Sequence, residues 1–503
     1  MSASDRWDEA IVTLDVGTSG AHAAAFDVDG RRRIEVRRSY PTMSPRPGWA
    51  EQDANAWRTA SLSALRALVA EIGGNRRVRA IGLTGQCPSI VVLDSARRPL
   101  LPALIYRDNR AVAEAASLRR VLGEARAHER TGHLPAAFHV LPKLAWLRRH
   151  ERATFDRAAL AVQPRDWLAL VLTGEARTDG THAAATLAYD LGRRAWAADL
   201  AGAAGIDVAL FPPLGGSADV VGTLRPVVAA RLGLPAATPV VLGGADSQAC
   251  ALGAGVVAEG PVSEMAGSST CLNAVVAHVL PTLGVTHYPH VVGSKLTTET
   301  GINTSGAAVG WVASLVYAGR TRRATPADFA RLDAEAACVP AGSNGVVALA
   351  VFGDGERTAP DLRAAFTGLA LTDNRAVLAR AVLEGVAFAI RSQLELLASA
   401  GAPPTELRIS GGDTRFATWN RIKADVTGLP VRVVRGDAAA AGVAMLAGIG
   451  TGIYTSPDEA IRCCVRFEPS IEPDPDVARR YTDAHAAWRE LAASRVVVRR
   501  AGR

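Results

Sequence analysis

Two short turns rich in glycine and hydroxyl side chains carry the groups in this chain that are best suited to chemistry. Residues 11–20 read IVTLDVGTSG and residues 262–270 read VSEMAGSST, and in each case extended segments enter and leave the turn, as in a β-hairpin. Such a turn exposes backbone N–H groups and hydroxyls with little side-chain bulk, so an anionic oxygen can approach closely. Together the turns predict a two-part phosphate clamp that arose by duplication, although either one alone also fits an ordinary hairpin.

Two aspartates stand next to glycine turns of this kind. Asp15 precedes the first glycine of the first motif, where its carboxylate could bind magnesium or the waters of magnesium, or could only cap the turn. Asp246 follows a glycine pair at the end of an apolar segment and precedes a helix of small residues. This position puts the carboxylate at the mouth of a cleft between two halves of the chain, or makes it the N-cap of the helix.

The usual phosphate-binding and metal-binding motifs are missing from the sequence. It contains neither GxxxxGK[ST] nor the GxGxxG of protein kinases, so a nucleotide would have to be bound by another device, such as the paired hairpins. The six cysteines form no CxxC pair and have no metal-type spacing with histidine, which predicts reduced, buried thiols.

Composition indicates a globular protein. A chain of 503 residues is too long for one core, and we expect two domains, residues 1–255 and 256–503. The net charge of +7 comes almost wholly from arginines that are scattered along the chain, which favours a solvated surface over nucleic-acid binding. No apolar run is long enough to cross a bilayer, and the first ten residues lack the layout of an export signal, so we expect a cytoplasmic protein that binds no membrane.

Strand and helix patterns alternate in both halves. Helical periodicity is seen at residues 54–72, 374–400 and 416–427, between segments with the pattern of strands. This alternation predicts α/β layers with mixed sheets, with ligands in the cleft between two serially related halves.

Several motifs in a fixed order point to a family. They are LDVGTSG, PGWAEQD, GLTGQ, PKLAWLRRHE, GGAD, MAGSST, GERTAP, FTGLALTDNRAVLARAVLEGVAF and SGGDTRFATWNRIKADVTGLPV. In this order the chain resembles the FGGY group of sugar kinases, and within it most closely the xylulokinases, from about residue 10 to residue 455. The resemblance implies two actin/hexokinase-like (ribonuclease H-like) domains with an interdomain catalytic cleft, and ATP-dependent phosphorylation of a sugar hydroxyl with Mg²⁺. Family members are often homodimers.

The same resemblance implies roles for individual residues. Asp246 would be the general base that accepts the proton of the attacking hydroxyl, and Asp15 would bind the metal. The β- and γ-phosphates would contact Gly17, Thr18 and Ser19 (here called the first turn) and Gly267, Ser268 and Ser269 (the second turn). The adenine end would contact Gly306, Gly310, Gly411, Gly412 and Asp413, although close helix packing would also explain the glycines at 306 and 310.

The sugar pocket departs from the xylulokinase pattern. Cys87 and Pro88 stand where xylulokinases typically have Met-His, and Ser247 stands where they tend to have Asn, so two hydrogen-bonding groups are lost. The candidate substrate-binding residues are Gln86, Cys87, Tyr106, Asp108 and Ser247. Trp49 and Arg110 are either further members of this pocket or packing residues. The identity of the sugar therefore stays open among ketopentoses, other ketoses, gluconate and small polyols, with a non-catalytic sensor as the alternative outside the enzymes.

Overall fold

The computed structural model describes residues 8–73, 77–318, 323–353, 355–356 and 362–494. The strands are β1 (Glu9–Val16), β2 (Gly20–Phe26), β3 (Arg32–Ser39), β4 (Glu51–Gln52), β5 (Arg77–Gly85), β6 (Val91–Leu93), β7 (Ala103–Leu104), β8 (Leu160–Val162), β9 (Thr178–Asp179), β10 (Tyr189–Asp190), β11 (Ala195–Trp196), β12 (Leu214–Gly215), β13 (Val220–Thr223), β14 (Pro239–Val241), β15 (Pro261–Ala266), β16 (Thr270–Val276), β17 (Thr286–Pro289), β18 (Leu296–Ile302), β19 (Val347–Leu349), β20 (Ala365–Thr367), β21 (Glu406–Gly411) and β22 (Val431–Val433).

The helices alternate with these strands. They are α1 (Ala54–Ile72), α2 (Val112–Leu122), α3 (Glu124–Thr131), α4 (Val140–His150), α5 (Arg152–Phe155), α6 (Pro164–Thr173), α7 (Gly180–Ala184), α8 (Ala198–Ala203), α9 (Pro226–Leu232), α10 (Asp246–Gly253), α11 (Gly306–Val316), α12 (Pro326–Ala337), α13 (Arg375–Ala400), α14 (Ala417–Thr427), α15 (Ala438–Gly450), α16 (Pro457–Cys464) and α17 (Pro475–Ala493). In the described part of the chain, no helix is both long and apolar enough to cross a membrane.

Contacts between residues divide the chain into two compact units. The first unit consists of Met1–Val257, Val276–Thr298 and Asp437–Val465. The second unit consists of Ala258–Val275, Glu299–Gly436 and Arg466–Arg503. The predicted boundary between residues 255 and 256 stays a prediction, because a division by contacts does not follow the chain as a single cut.

A mixed sheet forms the centre of the first unit, in the strand order β13-β14-β5-β1-β2-β3. β1 is antiparallel to β2 and parallel to β5, and β5 is parallel to β14. β1 lies inside the sheet, and its residues Ala10, Ile11, Val12 and Leu14 have no exposed surface. The expectation of mixed sheets is confirmed for this unit, and the parallel pairs set the position of the site described below.

Helices α1, α10 and α15 show how local sequence determines the packing of the first unit. Helix α1 begins where the Asp53 side chain accepts a hydrogen bond from the backbone N–H of Asn55, as an N-cap does. Helices α10 and α15 cross at two glycines: a Cβ at Gly253 would lie 1.7 Å from the carbonyl oxygen of Ala438, and a Cβ at Gly442 would lie 1.9 Å from that of Ala249. Any side chain at either glycine would therefore force these helices apart.

The second unit repeats the strand arrangement of the first. The strand order through the centre of its sheet is β18-β16-β15-β21-β22. The hairpin of β15 and β16 is antiparallel, while β15 is parallel to β21 and β21 is parallel to β22. Both units thus have a central hairpin followed on one side by two parallel strands, which confirms the predicted two-domain α/β fold.

Candidate active site

Three parallel strands of the first unit end next to one another. In the pairing of β1 with β5, Val16 stands beside Gly85, and Gly85 forms a parallel bridge with Ala245, which follows β14. After β1 the chain enters the first turn, after β5 it continues to Gln86, and after β14 it continues to Asp246. Because the carboxyl ends of parallel strands share one edge of a sheet, segments far apart in sequence form one surface here.

The carbonyl groups of the first turn are bonded to side chains of neighbouring segments. The Tyr40 hydroxyl donates a hydrogen bond to the Gly17 carbonyl oxygen at 2.5 Å, and Gln52 Nε2 donates one to the Thr18 carbonyl oxygen at 2.7 Å. Ser19 is exposed. The turn is therefore fixed through its carbonyl oxygens, while a hydroxyl side chain remains at its surface.

Asp15 is a half-buried residue with one of its carboxylate oxygens enclosed. Its Oδ1 is enclosed and has no hydrogen-bond partner in the described part of the chain. Burial, followed by the negative charges of Asp246 and Asp437, raises the pKa of Asp15 to about 8, and Arg37 opposes the shift only weakly. An enclosed oxygen that faces other carboxylates has the chemistry of a ligand for a hard divalent cation. Among the described residues, no group of three or more His, Cys, Asp or Glu side chains is arranged to hold a metal.

Asp246 is the first residue of α10, and the N-cap of this helix is Ala245. The Asp246 Oδ1 accepts a hydrogen bond from the backbone N–H of Ser247 at 2.8 Å. The preceding Gly243 has φ +71°, and a Cβ at this position would lie 1.6 Å from the carbonyl oxygen of Leu83. Asp246 is therefore not the N-cap of its helix, and the glycine before it allows the loop to pass directly over β5.

Three of the residues predicted to contact the sugar lie at this edge of the sheet: Gln86 and Cys87 follow β5, and Ser247 follows Asp246. Gln86 is buried, and its Nε2 donates hydrogen bonds to Gln52 Oε1 at 2.8 Å and to the Gly17 carbonyl oxygen at 3.4 Å. Its own Oε1 is enclosed without a partner in the described residues. Cys87 is half-buried and Ser247 is buried. Gln86 thus braces the first turn and retains one unused acceptor.

Tyr106 and Asp108 have different surroundings. The Tyr106 side chain is 37% exposed, and its hydroxyl accepts a hydrogen bond from Thr18 Oγ1 at 3.3 Å, which places it beside the first turn. Asp108 is fully buried, with Oδ2 accepting from the Ala50 N–H at 2.7 Å and both oxygens bonded to Arg110. A role for Asp108 in sugar binding stays a prediction, since every contact described for it is internal.

Arg110 and Trp49 make the packing contacts that the sequence left as an alternative for them. The Arg110 guanidinium lies 3.6 Å from the centre of the Trp49 ring. It also forms an ion pair with Glu51 at 2.6 Å. These contacts are those of a buried structural arginine.

The sequence analysis missed Lys143. This residue is fully buried on α4, and its Nζ donates a hydrogen bond to the Ile105 carbonyl oxygen at 2.8 Å. Burial lowers the pKa of Lys143 to about 7; the negative charge of Asp108 opposes that shift, and the positive charge of Arg110 adds to it. A signal was present in the sequence, because lysine occurs only at positions 143, 295 and 423 of this arginine-rich chain.

The second turn is held by the start of α11. The Gly267 carbonyl oxygen accepts from the Gly306 N–H at 3.0 Å, and the Ser268 carbonyl oxygen accepts from the Ser305 N–H at 2.9 Å. A Cβ at Gly306 would lie 2.5 Å from the Gly267 carbonyl oxygen. The absence of a side chain at position 306 is thus required by packing between α11 and the turn.

The remaining glycines of the predicted adenine site fall into two kinds. Gly411 stands beside Ala266 in the parallel pairing of β15 and β21, has φ +101°, and a Cβ there would lie 2.0 Å from the Ala266 carbonyl oxygen. By contrast, a Cβ at Gly310 would meet no atom within 4 Å, and one at Gly412 would only touch an arginine side chain at 4.0 Å. Packing requires glycine at 411, while positions 310 and 412 expose bare backbone.

A network of buried charges includes Asp413, which follows Gly411 and Gly412. The sequence analysis did not predict this network. Lys423 Nζ lies 2.5 Å from Glu264 Oε1 and 3.7 Å from Asp413 Oδ2. All three side chains are buried. Burial raises the pKa of Asp413 to about 6, and Lys423 lowers it while Glu264 raises it further. Two buried carboxylates, Glu264 on β15 and Asp413 just after β21, therefore share the buried Lys423.

Comparison with known proteins identifies the family. Residues 10–253 match the model of the N-terminal domain of the FGGY family of carbohydrate kinases, and residues 263–451 match the model of its C-terminal domain. A xylulose kinase of Klebsiella pneumoniae is 31% identical over 423 residues, which are 83% of this chain and 85% of that one. An autoinducer-2 kinase of Escherichia coli (strain K12) is 29% identical over 500 residues, 96% of this chain and 93% of that one. The crystal structure of a xylulose kinase from Rhodospirillum rubrum has a TM-score of 0.88 at 32% identity, covering 96% of this chain and 98% of that one. The chain therefore belongs to the FGGY family of carbohydrate kinases and is a kinase that acts on a sugar with ATP.

Proposed function

We propose that this kinase transfers the γ-phosphoryl group of ATP to a hydroxyl of a small sugar that is bound beside Asp246. The observation that most supports this assignment is the common edge of β1, β5 and β14. At this edge a phosphate-type turn, an enclosed carboxylate and the start of α10 belong to one surface. Phosphoryl transfer needs a site for the phosphates of the donor, a metal ligand and a base, and these three features would supply them.

The first and second turns supply N–H groups and hydroxyls to the phosphates in this proposal. At Gly17 and Gly267 a Cβ would meet no atom closer than 3.4 Å, so neither glycine is required by internal packing. Bare backbone at these points permits close approach of a phosphate oxygen. Gly310 and Gly412 provide the same kind of open backbone for the adenine end.

Asp15 is the proposed ligand of Mg²⁺ or of its bound waters. Its unpartnered, enclosed Oδ1 and the nearby carboxylates of Asp246 and Asp437 fit a divalent cation. When bound, the ion would neutralise charge on the phosphate oxygens. A cation would also make ionisation of the buried Asp15 favourable.

The proposed role of Asp246 is to orient the attacking hydroxyl and to accept its proton. The hydrogen bond from the Ser247 N–H fixes Oδ1 at the start of α10, where the helix dipole favours negative charge. Because the transition state of phosphoryl transfer is loose in most analyses, orientation contributes more than basicity.

For the substrate we propose a ketopentose or a related polyol, with xylulose as the first candidate, because the relatives named xylulose kinases cover most of this chain. A second candidate is another ketose, gluconate or the substrate of the relatives named autoinducer-2 kinases. It is favoured by Cys87 and Pro88, which offer fewer hydrogen bonds to a sugar than a Met-His pair does. The predicted cytoplasmic location and homodimer stay predictions.

The test is a panel of sugars and polyols with purified protein and Mg-ATP, with ADP release followed by a coupled assay. We expect one small sugar to stimulate ADP release strongly, and Asp246→Asn to lower kcat by about 10²- to 10⁴-fold with an unchanged melting temperature. ADP release that is indifferent to every sugar would contradict the proposed substrate class. Transfer that survives Asp246→Asn would remove the base assignment.

A further inference from the structure

The segment that leads into Asp246 is fixed by a buried arginine. Arg165, on α6, has no exposed surface. Its Nη1 donates hydrogen bonds to the carbonyl oxygens of Leu242 at 2.6 Å and Gly243 at 3.2 Å. These two carbonyl groups follow β14, beyond its last strand residue, so a side chain takes over where strand pairing ends.

Two threonines fix the rest of the segment. Thr84 Oγ1, on β5, donates a hydrogen bond to the Gly244 carbonyl oxygen at 2.8 Å. Thr181 Oγ1 accepts a hydrogen bond from the backbone N–H of Ala245 at 2.9 Å. Ala245 is the N-cap of α10, so Thr181 bonds to the residue immediately before Asp246.

Asp179 joins the arginine to the threonine. One of its oxygens lies 2.8 Å from Arg165 Nη2, and the other accepts hydrogen bonds from Thr181 Oγ1 at 2.7 Å and from Ser217 Oγ at 2.8 Å. Because the single hydroxyl proton of Thr181 is donated to Asp179, its oxygen must accept from Ala245, and the direction of both bonds is determined. The loop is thus bonded both to α6, through Arg165, and to α7, through Thr181.

Stability alone is a weak reason for such a network. Asp179, Arg165 and Thr181 are all buried, and the cost of burying a charge pair is often as large as the gain from pairing it, so apolar residues of similar volume would stabilise the unit equally well. What apolar residues cannot provide is a set of donors and acceptors at fixed points along the loop.

We infer that Thr181, held by Asp179 and Arg165, is a positioning residue that aims the Asp246 carboxylate at the sugar hydroxyl. The inference rests on the proposed function of Asp246. Loss of the Ala245 bond frees the start of α10 to shift, and misplacement of a reacting group by about 1 Å costs up to about 10²-fold in rate.

The experiment compares Thr181→Val with Thr186→Val, using Mg-ATP and the sugar that is phosphorylated fastest in the panel. Thr186 is a matched control because it is equally buried in the first unit, donates to the Ala183 carbonyl oxygen at 2.6 Å and accepts from the Ala188 N–H at 3.0 Å. We expect Thr181→Val to lower the single-turnover rate and kcat by about 10- to 100-fold, with KM for ATP within about threefold. Thr186→Val should lose a similar amount of thermal stability but keep kcat within about twofold.

Rescue by the conservative variant is the second arm. Thr181→Ser keeps the hydroxyl and should keep kcat within about threefold. Should Thr181→Val fail to fold, Thr181→Ala and Thr186→Ala give the same comparison without the branched side chain. The inference is overturned if variants at 181 and 186 lower kcat equally, or if Thr181→Ser is as impaired as Thr181→Val. Asp246→Asn, measured in parallel, separates the two levels: if it stays active the base assignment fails, and if it is inactive while both threonine positions behave alike only the positioning role fails.

Discussion

The first and second turns occupy the same place in two sheets of the same strand arrangement, but the charges beneath them are handled in opposite ways. Beside the first turn, Asp15 has no ion-pair partner in the described part of the chain. The charges that affect its pKa most are the carboxylates of Asp246 and Asp437. Beside the second turn, Glu264 and Asp413 share the buried Lys423. We propose that the carboxylate beside the first turn takes a cation from outside the chain, whereas Lys423 is the cation for the carboxylates beside the second turn. We therefore expect metal dependence to belong to the first unit and a structural ion pair to the second.

The largest effect should come from breaking that ion pair. Lys423→Met leaves the Glu264 carboxylate buried without its cation, and we expect the free energy of unfolding to fall by about 3–5 kcal/mol. Guanidinium chloride unfolding measures the change. Adding Glu264→Gln should restore at least half of the loss, and Lys295→Met, at an exposed lysine, is the matched control. A loss below about 1 kcal/mol for Lys423→Met would show that this ion pair does not stabilise the second unit.

The pH dependence of stability should also differ between the two units, through Asp413. Its folded pKa of about 6 lies above the usual value of 3.8, so between these values the folded chain keeps a proton that the unfolded chain has lost. The contribution of Asp413 to stability is thus fully present below about pH 4 and is lost as the pH rises to about 6, by about 3 kcal/mol.

The measurement is chemical unfolding of the wild type and of Asp413→Asn at several values of pH between 4 and 7. The variant, which cannot titrate at this position, should lack that part of the decline. Identical pH slopes for the two proteins would mean that Lys423 already keeps Asp413 ionised over the whole range.

The helices and hairpins of this fold could be predicted from the sequence. The contacts that hold the site residues in place could not. Helix α1 was predicted at residues 54–72, the range observed, because apolar periodicity is a local signal. The hairpin of β15 and β16 was predicted from the same kind of signal.

The missed features depend on residues that are distant in sequence. Lys423 and Glu264 are 159 positions apart, and Arg165 is 77 positions from the Leu242 carbonyl that it binds. No local sequence pattern predicts contacts between residues so far apart in the chain. The glycines illustrate the same limit: positions 306 and 310 look alike in the sequence, yet only the first is crowded by backbone atoms.

A Mg²⁺ titration of activity tests the difference between the two turns through a smaller free-energy change. Asp15→Asn removes the proposed ligand of Mg²⁺, and we expect the Mg²⁺ concentration for half-maximal activity to rise about tenfold, or 1.4 kcal/mol. Without Mg²⁺ the variant should be more stable than the wild type at neutral pH, because its amide does not titrate, whereas the raised pKa of Asp15 makes the folded chain take up a proton that the unfolded chain lacks. Asp413→Asn, the counterpart in the second unit, should leave the Mg²⁺ requirement unchanged. An equal rise for both variants would contradict the assignment of the metal to the first unit.

The smallest effects should be those of a single methyl group in each turn. Gly17→Ala and Gly267→Ala meet no internal atom closer than 3.4 Å, so unfolding free energies should change by less than about 0.5 kcal/mol. The added methyl group would stand where a phosphate oxygen approaches, and KM for ATP should rise about threefold in each variant, below 1 kcal/mol. Gly202→Ala, where the added methyl group meets no atom within 4 Å, is the control and should leave KM unchanged. Since this test depends on space and not on charge, a rise in KM for only one of the two turns would mean that the duplicated hairpins no longer share one task, even though their sheets are alike.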